Sequence, residues 1–346
     1  MESLPPLHYK LSGNSLLGYE LRPNTRDTNA AGFRGRDYAV KKAPGVTRIV
    51  VLGDSIAYGI YIAAGDTYAA RLENLLAGGR GSRYEVLNLG VNGYGTVQIA
   101  ERFRELALRY DPDIVVYGYW FNDHTRYGCA GYQYPFFVNA RARAWEAYAS
   151  LASRFAVLRG LRGFALRSEL FTRCTLAYYR LKAMRPVREN VSAVHAADYG
   201  PYADFKALIE RAAAEGLDTS FLDGPVTPEN FGEHWAALES MAKTCRERKI
   251  RFILMTTPIF TPTERYPYAG FHDFLRRSAA TLGVEFLDVS RAVLAAQARD
   301  GGRFSFDKCH MNGKGHAAAA AALKKYLDGP GTAVNPWNKG SGTILP

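Results

Sequence analysis

Five short apolar runs set the plan of the chain. They lie at 48–52 (RIVVL), 86–89, 114–119, 251–256 and 284–287. Apolar runs of this length without alternation read as strands buried on both faces of a parallel sheet. Between them, apolar residues recur at helical spacing. Leu72, Leu75 and Leu76 share one face within 67–76, and Phe103, Leu106 and Tyr110 share one within 97–110. Similar patterns cover 235–248, 271–282 and 315–327. Strands alternating with helices predict a three-layer α/β/α sandwich around a central parallel five-stranded sheet, with short right-handed connections.

Three segments depart from this rhythm. Residues 1–46 are polar and rich in Gly, Asn and Arg, and are expected to form an N-terminal extension packed on the domain. The main unit then runs over 47–328. Between its third and fourth strands lie roughly 130 residues, far more than a simple crossover needs. Within that interval Leu151, Phe155, Leu158 and Leu161 repeat at helical spacing among Arg154, Arg159 and Arg162, which predicts a helical cap insertion at about 125–230. Tyr132, Tyr134, Phe136 and Trp145 in the same insertion are candidates to line an apolar pocket. Residues 329–346, rich in Gly and Pro, read as a C-terminal tail.

Composition narrows the class. The 346 residues are 47% hydrophobic and 22% charged, with a mean hydropathy of -0.20, which excludes an intrinsically disordered chain. The formal net charge is +11. Much of it sits in 141–190, where eleven Lys and Arg face three Glu. This basic stretch is the part expected to touch an anionic membrane or glycan, the competing reading being a solvated surface; no nucleic-acid partner is expected. The four cysteines, Cys129, Cys174, Cys245 and Cys309, show neither CxxC nor metal-site spacing. No apolar run is long enough to span a bilayer, and the first residues lack the apolar core of a signal peptide. A cytoplasmic protein is expected from the chain as it stands, or an exported one if a leader precedes it.

Candidate chemistry clusters at strand ends. Gly53-Asp54-Ser55 follows the first strand directly, where loops at the carboxyl edge of a parallel sheet bind ligands. A serine hydroxyl is a weak nucleophile and needs a base. Asp307-Lys308-Cys309-His310 offers one, with Asp307 three residues before His310 so that one turn presents both. His124 adjoins Asp123; the other histidines have no such local partner. Two further positions end strands: Gly90, whose backbone N–H is a candidate oxyanion donor, and Asn122, whose side-chain amide is another. The spacing Gly90-x-x-Gly93-x-Gly95 does not match the dinucleotide loop GxGxxG.

Taken in order, these four elements resemble the sequence blocks of the SGNH (GDSL-like) hydrolases. Gly53-Asp54-Ser55 is similar to the nucleophile block, Gly90 to the glycine block, Asn122-Asp123 to the asparagine block, and Asp307-x-x-His310 to the final block. The resemblance spans about 47–327, and Gly32-Phe33-Arg34-Gly35 is similar to N-terminal extensions of some bacterial members. Trp120 stands where the family's third block has glycine. The resemblance implies an SGNH, flavodoxin-like sheet and a serine esterase cleaving carboxylic esters through an acyl-enzyme. Ser55, His310 and Asp307 are then the catalytic triad, and Ser55, Gly90 and Asn122 the oxyanion hole. It implies no cofactor and no metal, and small-molecule, lipid or carbohydrate esters as substrates. An O-acyltransferase using the same triad and a non-catalytic binding module on the same scaffold are the alternatives.

Overall fold

The computed structural model describes residues 8–14, 16–77, 83–124, 200–222, 226–261 and 266–329. Five parallel strands form the central sheet: β3 (Val46–Gly53), β4 (Arg83–Asn88), β5 (Ile114–Tyr119), β6 (Arg251–Thr256) and β7 (Glu285–Asp288). Their order is β4-β3-β5-β6-β7. The strand order reverses at β3, between the β3–β4 and β3–β5 pairs, and that switch point is where such sheets place their sites. The chain has the α/β fold of three layers foreseen from its apolar runs.

Helices cover both faces. α2 (Tyr68–Ala77) packs against α8 (Gly313–Leu327), with α7 (Ser290–Asp300) beside it. On the other face α3 (Thr96–Glu105) packs on α5 (Pro228–Glu247), which with α6 (Ala269–Leu282) also contacts α4 (Gly200–Ala214). The stripes hold in part: Leu72 and Leu76 are buried while Leu75 is exposed, and Phe103 and Tyr110 are buried with Leu106 half-buried, Leu106 and Tyr110 lying beyond the end of α3. A four-residue helix, α1 (Ser55–Tyr58), follows β3 directly. Gly59 ends α1, at φ 76 in the left-handed region, where a side chain is disfavoured.

The N-terminal residues are not a loose layer. β1 (Tyr9–Leu11) and β2 (Tyr19–Leu21) pair antiparallel, and Tyr9, Leu17, Tyr19, Leu21 and Phe33 are buried in the common core. Arg34 pairs by its backbone with Asn88, and the buried Arg102 donates to the Leu89 and Gly32 carbonyls. The segment therefore covers the end of edge strand β4, whose unpaired backbone would otherwise be exposed. Arg48 opens the first apolar run yet is fully buried. Its guanidinium donates to Glu85 and to the carbonyls of Ala39, Val40 and Tyr110, so the charge is paired and every contact is hydrogen-bonded.

The basic stretch 141–190, the aromatic candidates Tyr132 to Trp145 and the tail from 330 onward lie outside the described residues. Among the described residues no helix is long and apolar enough to cross a membrane.

Candidate active site

β3 delivers Ser55 to the rim through a crowded turn. Gly53 has φ 147, and a Cβ there would sit 2.7 Å from Ala57 Cβ and 2.7 Å from the Gly118 carbonyl oxygen. Gly90 is crowded by the same helix: a Cβ would lie 2.5 Å from Tyr58 N and 2.8 Å from Ala57 C. At Gly118 a Cβ would meet the Tyr68 hydroxyl at 2.6 Å. Three glycines at the ends of β3, β4 and β5 thus form a socket in which Ala57 and the first turn of α1 rest. Asp54 caps α1, its Oδ1 accepting from Ile56 N at 2.8 Å. Burial pushes the Asp54 carboxyl upward from its ordinary range. Ser55 is buried, and its backbone N–H has no partner among the described residues, as the first turn of a helix dictates.

The loop from Phe304 to Asn312 brings His310, the candidate base. Phe306 N donates to the His310 carbonyl at 2.8 Å and Asn312 N to the Phe304 carbonyl at 2.9 Å, closing the loop on itself. Asp307 organises its interior. Its Oδ1 accepts from Cys309 N at 2.9 Å and from His310 N at 2.7 Å, which leaves Oδ2 for the His310 ring, at 2.6 Å from Nδ1. His310 Nε2 then lies 2.9 Å from Ser55 Oγ. Nδ1 is held by a carboxylate, so Nε2 is the nitrogen left to accept the serine proton. Ser55 Oγ also lies 3.2 Å from Asp54 Oδ2, a longer contact than that to His310. Ser55, His310 and Asp307, picked out on sequence grounds, are brought together in one hydrogen-bonded line.

Partial burial works to raise the Asp307 carboxyl. The hydrogen bonds from the His310 ring and from the His310 and Cys309 backbone outweigh it and hold the carboxyl at about 2. An unfolded aspartate titrates near about 3.9. The ionised form therefore contributes stability that is complete above about pH 4 and lost as pH falls through about 2. Urea midpoints of the wild type and Asp307→Asn are expected to converge over that interval. Midpoints that keep a constant separation from pH 6 to pH 2 would contradict it.

The second strand-end pair divides. Asn122 is half-buried in the turn after β5. Beneath it Asp123 is buried, its Oδ2 accepting from Trp120 N at 3.1 Å and from the Tyr117 hydroxyl at 2.8 Å. With the Tyr117 proton on Asp123, the arrangement that satisfies each group has Thr96 Oγ1 donating to Tyr117 at 2.8 Å and His234 Nδ1 donating to Thr96 at 2.7 Å. Burial pushes His234 down to about 3, consistent with a neutral ring. This chain of donors fixes the turn that carries Asn122; it joins residues from α3, β5 and α5 that no local motif links. His124, noted beside Asp123, is instead buried with Nδ1 at 2.6 Å from the Phe121 carbonyl, and burial pushes it down to about 4. Trp120, at the family's glycine position, is buried and packs edge-on against Phe121 and Phe221.

The Gly90 N–H, expected as an oxyanion donor, has a partner in this structure. It donates to Asn88 Oδ1 at 3.0 Å, and Asn88 Nδ2 donates to the Ala57 carbonyl. In this arrangement the N–H read as an oxyanion donor is held within its own loop, and the glycine is required because α1 packs against it.

Asp307, Cys309 and His310 place donor atoms within 4.8 Å of one another. A cation there would compete with the contact between Asp307 and His310. Burial and the Asp307 charge push the Cys309 thiol upward, so it is held as a thiol rather than a reactive thiolate.

A three-layer α/β sandwich with a serine, a histidine and an aspartate in line at the switch point is the arrangement of a serine hydrolase. The GDSL-like Lipase/Acylhydrolase family model matches residues 51–318, and the chain belongs to that family of SGNH hydrolases acting on ester bonds. No curated protein matches the chain significantly. Among solved structures, a catalytic mutant of the acetylxylan esterase Axe2 from Geobacillus stearothermophilus is 14% identical, with a TM-score of 0.44 over 82% of this chain and 94% of that one. The acetyl xylan esterase AlAXEase is 13% identical, with a TM-score of 0.41 over 81% and 99%. The lipase/acylhydrolase from Enterococcus faecalis is 14% identical, with a TM-score of 0.42 over 81% and 95%.

Proposed function

We propose that the chain is a serine esterase that works through an acyl-enzyme on Ser55. The observation that carries this reading is the line Asp307 Oδ2–His310–Ser55 Oγ, with contacts of 2.6 and 2.9 Å. Ser55 Oγ attacks the ester carbon while His310 Nε2 takes its proton, and the carbonyl π pair moves onto oxygen. Collapse breaks the bond to the alkoxy oxygen, which takes the proton back from His310 and leaves as alcohol. Water then attacks the acyl-enzyme through the same base and releases the acid.

The developing oxyanion is assigned to the Ser55 N–H and the Asn122 amide. Gly90 would join them only by releasing Asn88. Gly93 is the better candidate in that loop: it sits at φ 80 in the turn closed by Tyr94 N on the Val91 carbonyl, and its N–H has no partner among the described residues. Asn122→Ala is expected to lower kcat by about 10²- to 10³-fold, the usual cost of one oxyanion donor. A fall in activity of less than about threefold would remove Asn122 from the hole.

The deciding experiment is a panel of esters varied in acyl length and in alcohol, run with fluorophosphonate labelling. Turnover with label on Ser55 supports the reading; no turnover and no label sink it. Adding a sugar or simple alcohol to the same assays measures acyl transfer against hydrolysis. Small-molecule or carbohydrate esters are the substrates this class takes, and the basic stretch 141–190 is proposed to contact anionic surfaces, tested by the salt dependence of vesicle binding.

A further inference from the structure

Two aromatic side chains stand exposed beside the triad. Tyr61 is 67% exposed and Phe306 47% exposed. Their rings meet edge to face with centroids 5.6 Å apart, and Tyr61 meets the His310 ring in the same way at 5.7 Å. They reach this point from opposite ends of the chain, Tyr61 just after α1 and Phe306 just before Asp307.

Tyr61 is not left there by a slack loop. Its backbone is left-handed, φ 71, a conformation that disfavours an L side chain and persists only where its surroundings impose it. Those surroundings are visible. Ile60 N donates to the Ser55 carbonyl at 3.1 Å, and Gly59 N to the Ser55 and Ile56 carbonyls. From behind, the buried Arg34 guanidinium donates to the Ile62 carbonyl and lies 4.2 Å over the Tyr58 ring. An aromatic ring is thus held out into solvent, against its backbone preference, by a buried arginine from the N-terminal segment.

The side of the site follows from the chemistry. In acyl transfer through a Ser–His pair, the imidazolium gives its proton to the departing alkoxide, so the alcohol lies against the histidine. Rings packed on His310 therefore face the alcohol rather than the acyl chain. Lys308, two residues from Phe306, is engaged by Asp218 and Ser220, so its charge is turned to partners of its own beside the exposed ring faces and edges. We propose that Tyr61 and Phe306 form a platform for the alcohol part of the ester, selecting uncharged alcohols that present a ring with an apolar face. The proposal rests on the esterase reading above.

The test holds the acyl group constant. Methyl, cyclohexylmethyl and benzyl acetate all release alkoxides, while methyl hexanoate varies the acyl side. In Tyr61→Ala the ratio of kcat/KM for the ring-bearing acetates to that for methyl acetate is expected to fall by about 5- to 10-fold, chiefly through KM. Tyr61→Phe is expected to keep the ratio, and Phe306→Ala to lower it independently should Tyr61→Ala fail to fold. An acetylated methyl glucoside run alongside extends the platform to sugar rings if it loses with the others. It confines the platform to hydrocarbon rings if it does not. Equal losses on all esters, or a loss confined to methyl hexanoate, would overturn the platform while leaving the esterase intact. A wild type that turns over no ester and takes no fluorophosphonate overturns both.

Discussion

Ser55→Ala is expected to lower kcat/KM on a short-chain ester by about 10⁶-fold while leaving the protein folded. The size follows from the unit that Ser55, His310 and Asp307 form: removing the nucleophile removes what the base and its orienting acid act upon, so the loss approaches that of deleting all three. The fold is expected to survive because, among the described residues, Ser55 Oγ hydrogen-bonds only to the His310 ring and Asp54 Oδ2. His310 keeps Asp307, Asp54 keeps its cap on Ile56, and the socket under Ala57 is unchanged. Far-UV circular dichroism and the urea midpoint should match the wild type, and fluorophosphonate labelling should vanish. A Ser55→Ala protein that keeps a tenth of its activity would place the nucleophile elsewhere.

Gly53→Ala is expected to do the opposite, damaging the fold and the activity together. The new methyl must occupy space 2.7 Å from the Gly118 carbonyl oxygen, which belongs to the neighbouring strand of the sheet, and the backbone is already at φ 147. Neither obstacle is the far end of a flexible side chain that can swing aside. Overpacking and backbone strain together are expected to cost about 4 kcal/mol, read as a lowered urea midpoint. The surviving folded protein should also turn over slowly, because a shift of about 1 Å between Ser55 and His310 lowers a rate by about 10²-fold. A Gly53→Ala protein with wild-type stability would mean that β3 and β5 can part at this point, contrary to their register.

How far the sequence alone reaches depends on where each signal lives. The strands 114–119 and 251–256 are legible to the residue because they are buried along their whole length. β4 begins at Arg83, three residues before its apolar run, because the ladder to β3 continues through the exposed Arg83 and the half-buried Tyr84 and Glu85. α7 buries only Ser290, Val293 and Ala296, too little to print a stripe, and β1 and β2 are three residues each in a polar segment. In the site, Asp307-x-x-His310 is legible because the carboxylate caps its own turn, a local act. Its union with Ser55, 255 residues away, is not local and is read only from the order of blocks at strand ends. The donor chain from His234 to Asp123 and the pair Tyr61–Phe306 leave no mark in the sequence, since each joins residues distant along the chain. Gly90 marks the limit of a local sign: a glycine can be required by a helix packed on it, and its identity says nothing of where its N–H points.

The socket of Gly53, Gly90 and Gly118 has a consequence for how this scaffold can vary. The helix that carries Ser55 lies so close to Gly53 and Gly90 that neither could bear a Cβ, while the Tyr68 hydroxyl fills that space at Gly118. The coordinate of the reacting oxygen is therefore tied to the spacing of the strands, a quantity that side-chain exchange at the rim does not alter. Loops such as the one bearing Tyr61, or the whole insertion after β5, are free to be rebuilt for other alcohols or other acids. The attacking atom would meet each new substrate from the same place.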